Sequence, residues 1–130
     1  MAVRMELSKI IISDMQDLQV IVLKEVDGER RFPIMIGRSE ADAINRRLRG
    51  ETPLRPLTHD LLADVIEKLH GTVDRIEIVN LEQHTFFARI FIRYAAGVVE
   101  VDSRPSDAIA LGVATQVPIF VAEHVLNEVC

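Results

Sequence analysis

The residues of this chain best suited to chemistry lie in one stretch, Val101-Asp102-Ser103-Arg104-Pro105-Ser106-Asp107-Ala108. It sets two carboxylates, one guanidinium and two hydroxyls around the expected start of a helix, where backbone N–H groups lack partners and attract anions. Such a corner can hold phosphate oxygens on Arg104 and on the free N–H groups. Asp102 and Asp107 can coordinate a hard cation, Mg²⁺ or Mn²⁺, or position a water. The same residues also spell an ordinary helix start, with Pro105 at the entry, Ser106 as cap and Asp107 in the first turn. On that reading Asp102 and Arg104 form a structural salt bridge.

A second corner echoes the first. Ser39-Glu40-Ala41-Asp42-Ala43-Ile44 and Ser106-Asp107-Ala108-Ile109-Ala110-Leu111 both read Ser, acid, Ala, any residue, Ala, aliphatic, and lie half a chain apart. If the halves are related, Glu40 and Arg38 face a groove shared with Asp102, Arg104 and Asp107. Glu40 then serves either as a third metal ligand or as a salt-bridge partner of Arg104. Thr58-His59-Asp60 places a histidine beside a carboxylate, and histidine suits proton transfer near neutral pH. Adjacent helical residues point about 100° apart, so Asp60 need not orient His59 and one of the two can instead hold the preceding Pro-rich loop. His70, His84 and His124 are scattered. No phosphate-loop glycine pattern, dinucleotide fingerprint, nucleophile elbow or HExxH is present.

Several elements must position these groups. Period-two alternation predicts a strand from Val3 to Ile12, and a second strand is expected from Gln19 to Val26. Asp27-Gly28 then turns the chain into Arg31–Ile36, where Pro33 requires an edge or a bulge. A helix is expected from Ser39 towards Gly50. A second helix opens at Thr58, its Leu61, Leu62, Val65, Ile66 and Leu69 following the 3.6 period, and stops at Gly71. Strands are expected at Val73–Val79, Thr85–Tyr94 and Val98–Val101, then a small-residue helix to Thr115, a short buried strand Ile119–Val121 and a terminal helix Glu123–Val129.

Size and charge bound the function. The 130 residues, 48% of them apolar and 27% charged, suit one domain with a single core, residues 1–130, and exclude long disordered tails. Cys130 is the only cysteine, so neither an internal disulfide nor a cysteine-based zinc site is expected. With no secretory or membrane-spanning pattern, the cytoplasm is the expected location. The net charge of -5 opposes nucleic-acid binding in the mean. Yet Arg30 to Arg55 holds seven arginines against three acids, leaving -9 on the remainder. Arg38, Arg46, Arg47, Arg49 and Arg55 can therefore grip phosphates, or else form a solvated or inter-subunit ion-pair surface. Few aromatics, five Phe and one Tyr with no Trp, leave little for base stacking.

Taken together, Arg31-Phe32-Pro33-Ile34-Met35-Ile36-Gly37 with Glu40-Ala41, Arg55-Pro56-Leu57-Thr58-His59-Asp60-Leu61, Val101-Asp102-Ser103-Arg104-Pro105-Ser106-Asp107-Ala108-Ile109-Ala110-Leu111 and Pro118-Ile119-Phe120-Val121 resemble the bifunctional nuclease domain family. The resemblance runs from about residue 5 to 126. It implies an α+β fold, here about seven strands in a mixed or antiparallel sheet with about four helices, and often a homo-oligomer. It also implies hydrolysis of DNA and RNA, as in some members, but carries over no catalytic set; the candidate site residues are those where the family strings coincide with useful chemistry, Glu40, His59, Asp60, Asp102, Arg104 and Asp107. Where the family commonly carries Ala and then a basic residue, this chain has Gly112-Val113-Ala114-Thr115-Gln116, which weakens the expected nucleic-acid contact. The expected activity is metal-assisted cleavage of phosphodiesters with little sequence preference. The alternatives are a non-catalytic homo-oligomeric module whose charged strings are structural ion pairs, and a module binding a small phosphorylated ligand.

Overall fold

The computed structural model describes residues 1–51 and 53–130. The first half folds into β1 (Ala2–Ile11), β2 (Leu18–Glu25) and β3 (Arg31–Gly37), an antiparallel meander. In β3 the alternation is complete, with Phe32, Ile34 and Ile36 buried and Arg31, Pro33 and Met35 exposed. α1 (Arg38–Leu48) and α2 (Thr58–Lys68) follow. A second antiparallel meander comprises β4 (Thr72–Glu82), β5 (Thr85–Tyr94) and β6 (Gly97–Ser103), and leads into α3 (Pro105–Thr115). β7 (Ile119–Ala122) and α4 (Glu123–Val129) complete the chain.

One sheet holds all seven strands in the order β3-β2-β1-β7-β4-β5-β6. β7 is antiparallel to β1 and parallel to β4, so the sheet is mixed and β1 and β4 run in opposite directions. The expected α+β class is therefore the observed one. Pro33 lies in β3, an edge strand, where its missing N–H costs no ladder bond. An offset of 67 residues carries α1 onto α3 residue for residue and superposes the ranges of β2 on β5 and β3 on β6 to within a few residues. The echo between the two corners thus extends to two strand-strand-strand-helix units on either side of β7.

The sheet is strongly curled. Phe32 of β3 and Phe86 of β5 stand five strand spacings apart in the order, about 24 Å if the sheet were flat, yet their ring centroids are 5.7 Å apart. The curl wraps the sheet around α3, whose Ser106, Ala108, Ile109, Ala110, Leu111 and Gly112 are all buried. Small residues make this close packing possible. A Cβ on Gly112 would stand 3.1 Å from Cδ1 of Ile76 at the centre of the core. α1 packs against α3 through Ala41 and Ile44, both fully buried. The curl and this helix pair bring the end of β3 and the end of β6 to one place.

Several local expectations are corrected. The β2–β3 connection is a five-residue loop, and Gly28 does not adopt positive φ. The loop is closed instead by Glu25, whose carboxylate accepts from Nε, Nη2 and the backbone N–H of Arg30. After α2 the left-handed residue is His70 (φ 67°), not Gly71. Gly71 is needed for space, since a Cβ there would meet Ile66 and Ile92, each at 3.1 Å. Neither Ser39 nor Ser106 caps a helix. The cap positions are Gly37 and Arg104, no side chain caps either end, and Ser106 is buried inside α3. α2 buries none of its residues: Leu61, Leu62, Val65 and Leu69 are exposed. No helix among the described residues is long and apolar enough to cross a membrane.

Candidate active site

Four of the nominated side chains converge where the two corners meet. Asp107, in the first turn of α3, is the centre. One carboxylate oxygen lies 3.0 Å from Nε2 of His59, which enters from the first turn of α2. The other accepts from Arg104, at 2.8 Å from Nη2 and 3.0 Å from Nε. Arg104 also reaches Glu40 of α1 across a longer gap of 3.7 Å. Exposure grades across the cluster: the His59 side chain is 13% accessible, Glu40 18%, Asp107 33% and Arg104 70%. The ring is thus held inside while the guanidinium stands in solvent.

The electrostatics follow from that arrangement. Burial alone pushes the Asp107 carboxyl up, but the hydrogen bonds from His59 and Arg104, with their charges, outweigh it and hold Asp107 below the ordinary carboxylate range. The Arg104 guanidinium is raised in turn, first by its hydrogen bond to Asp107 and then by that carboxylate's charge. α1 and α3 point uncapped N-termini into the same region, adding oriented N–H groups and two positive dipole ends.

The other nominated residues lie elsewhere. Asp102 sits in β6 opposite Arg89, between Val101 and Ser103. Val101 and Ser103 pair with the buried core residues Ile90 and Ala88, so strand alternation turns Asp102 to the opposite face, away from Glu40, His59 and Asp107. The expected trio of Asp102, Asp107 and Glu40 is therefore not assembled. Asp60 is structural here: Oδ2 accepts from the backbone N–H of Leu57 and Oδ1 from Arg47. It holds the loop before α2. Among the expected phosphate grips, Arg38 is bonded to Asp14 and Asp42, Arg47 to Asp60 and Arg49 to Glu51. Arg46 lines the site groove and Arg55 is exposed beside it in sequence.

A divalent cation does not fit this donor set as it stands. Among the described residues no three His, Cys, Asp or Glu side chains are grouped to hold a metal. Both oxygens of Asp107 are already engaged, and Arg104 occupies the place between the two acids.

The cluster opens into a groove of about 850 Å³. Arg46, Arg104, His59 and Asp107 line it on the polar side, and Leu61 and Leu62 on the apolar side. The two leucines were not among the nominated site residues. Helical periodicity marks them as a face without saying what that face meets.

The model of the bifunctional nuclease domain matches residues 21–130, which include both helix starts and every member of the cluster. The chain belongs to the bifunctional nuclease domain family. An uncharacterized protein of Mycobacterium tuberculosis is 43% identical over 114 residues, covering 87% of this chain and 67% of that protein. Bifunctional nuclease 1 and Bifunctional nuclease 2 of Arabidopsis thaliana are each 26% identical over 108 residues. These alignments cover 80% of this chain but 33% of either plant protein. This bifunctional nuclease domain carries its charged cluster within the matched region, on residues that three of the four motif strings contribute.

Proposed function

We propose that this domain hydrolyses phosphodiester bonds of DNA and RNA, in the cytoplasm, at the His59–Asp107–Arg104 cluster. The observation that carries the reading is the bond between His59 and Asp107 at the wall of an open groove. With Nε2–H donating to the carboxylate, Nδ1 keeps the lone pair and the carboxylate supports the ring when it becomes charged. In the proposed step a water oxygen attacks phosphorus and its proton passes to Nδ1. The bond to the leaving ester oxygen breaks, and the proton moves from His59 to that oxygen. Arg104 and the uncapped helix N–H groups stabilise the extra negative charge on the nonbridging oxygens. Glu40, at 3.7 Å, is the weaker of the guanidinium's two partners and is the one displaced by a phosphate.

Family membership and the plant relatives' names support the nuclease class. The high exposure of Arg104 supports access by a ligand larger than a free phosphate. Because three of the five expected grips are paired within the chain, binding should be modest and fall steeply with salt. Mg²⁺ or Mn²⁺ assistance would require Arg104 to leave the acids, so cleavage is expected to persist in chelator.

The test is degradation of RNA and single-stranded DNA by wild type and His59→Ala, purified identically, each with and without chelator. Expected is wild-type cleavage that survives chelation and a loss of about a thousandfold in the variant. Equal cleavage by both proteins assigns the activity to a contaminant, and loss in chelator alone returns the role to a metal. The exposed Leu61, Leu62 and Val65 of α2, with Leu69 just after it, also favour a second reading, self-association through this face. Sedimentation of wild type against Leu61→Ser plus Val65→Ser measures it.

A further inference from the structure

Arg104 and Glu40 belong to two grooves. Besides the groove containing His59, a second of about 380 Å³ lies on their other side, lined by Gly37, His84, Phe86 and Ser106. The two helix starts divide between them. Ser39 and Asp107 face the larger groove, Gly37 and Ser106 the smaller, and the Glu40–Arg104 pair forms the saddle. Both lie within the size range that takes a ligand as large as a nucleotide, and both are open at the surface.

The rim of the smaller groove carries an unusual backbone. The β4–β5 turn consists of Gln83 and His84, both left-handed at φ 49° and 68°. A two-residue turn of this kind ordinarily takes Asn-Gly or a similar pair, because side chains resist positive φ at both positions. Here a glutamine and an imidazole hold it, and the imidazole is exposed on the groove that Arg104 also lines. Strained positions of this sort are retained where the side chain has a use.

We propose that a polynucleotide lies across both grooves with one phosphodiester over Arg104, so that the bond cut is internal, and that His84 positions the segment in the smaller groove. A site acting on chain ends would need a wall beyond the scissile phosphate on one side. Here an open groove adjoins the saddle on each side. The inference rests on the phosphodiesterase reading and adds to it the polarity of attack. His84 touches the flanking segment and not the reacting phosphorus, so it is a positioning residue.

The experiment compares closed circular single-stranded DNA and circular RNA with linear molecules of the same sequence. Internal cutting opens the circles at rates within about threefold of the linear forms. Linear molecules shortened from an end while circles survive would overturn the inference and leave the phosphodiesterase reading intact. Loss of neither substrate overturns both. His84→Gly relieves the left-handed turn while removing the ring, so folding is preserved. Expected is a roughly tenfold higher KM on a 20-nucleotide strand, the size of one lost charge-assisted hydrogen bond, with kcat unchanged and no effect on a dinucleotide. An equal change on both substrates, or on neither, removes His84 from the positioning role.

Discussion

The two strand-to-helix corners share a frame and differ in what they place on it. At the offset of 67 residues Gly37 corresponds to Arg104, Ser39 to Ser106 and Glu40 to Asp107. The first corner has no side chain at its cap position, where a Cβ on Gly37 would lie 2.5 Å from Oε1, the movable end of Glu40. The second corner has a guanidinium there. Two equivalent acids therefore flank a single cation, and only one of them, Asp107, also meets a histidine. The histidine comes from α2, which belongs to neither repeated unit. A symmetric frame thus yields an asymmetric site, because one corner supplies room and the other supplies charge.

The largest effects should separate the two acids. Asp107→Asn removes the charge that orients His59 and neutralises Arg104, and kcat on an oligonucleotide should fall about a thousandfold. Glu40→Gln removes only the longer contact and should cost about tenfold or less. Equal losses would show that the corners contribute alike and would break the comparison. Stability should separate the helices next. Gly112 of α3 and Asn45 of α1 are counterparts, yet only Gly112 is buried against Ile76. Gly112→Asn forces an amide into the core, and overpacking with an unsatisfied polar group should cost about 3 kcal/mol in urea unfolding. Asn45→Gly, in a half-buried position, should cost well under about 1 kcal/mol, mostly from helix propensity.

Much of this frame was legible beforehand, for physical reasons that differ by element. Period-two alternation marks the first strand, turn residues and apolar runs mark the others, and the Ser-acid-Ala strings mark both helix starts and the offset between them. Asp102 was misplaced because its strand was expected to end at Val101. Since β6 continues through Ser103, alternation sends Asp102 to the other face. The 3.6 period of α2 matches the observed helix, but amphipathicity does not say whether a partner covers the apolar side. The meeting of Glu40 with Arg104 depends on the curl of the sheet, recorded by Phe32 and Phe86 in contact across five strand spacings. Such a curl comes from non-local packing and leaves no period in the sequence.

A further small effect concerns acid stability at the second corner. The Asp107 carboxyl is held below its unfolded value by His59 and Arg104 against the opposing effect of burial. A depressed folded pKa means that the unfolded chain takes up the proton first as pH falls. The stabilisation is therefore complete above about pH 4, the ordinary aspartate value, and is lost as pH drops through the lower folded value. With a third of the side chain in water its size should be under about 1 kcal/mol. The measurement is the gap in urea midpoint between wild type and Asp107→Asn across pH. Wild type should lead by a constant margin from neutral pH down to about 5 and the margin should close below about 4. A margin unchanged at the acid end would mean that Asp107 is held by packing and not by charge. The difference between the two corners would then lie in shape alone.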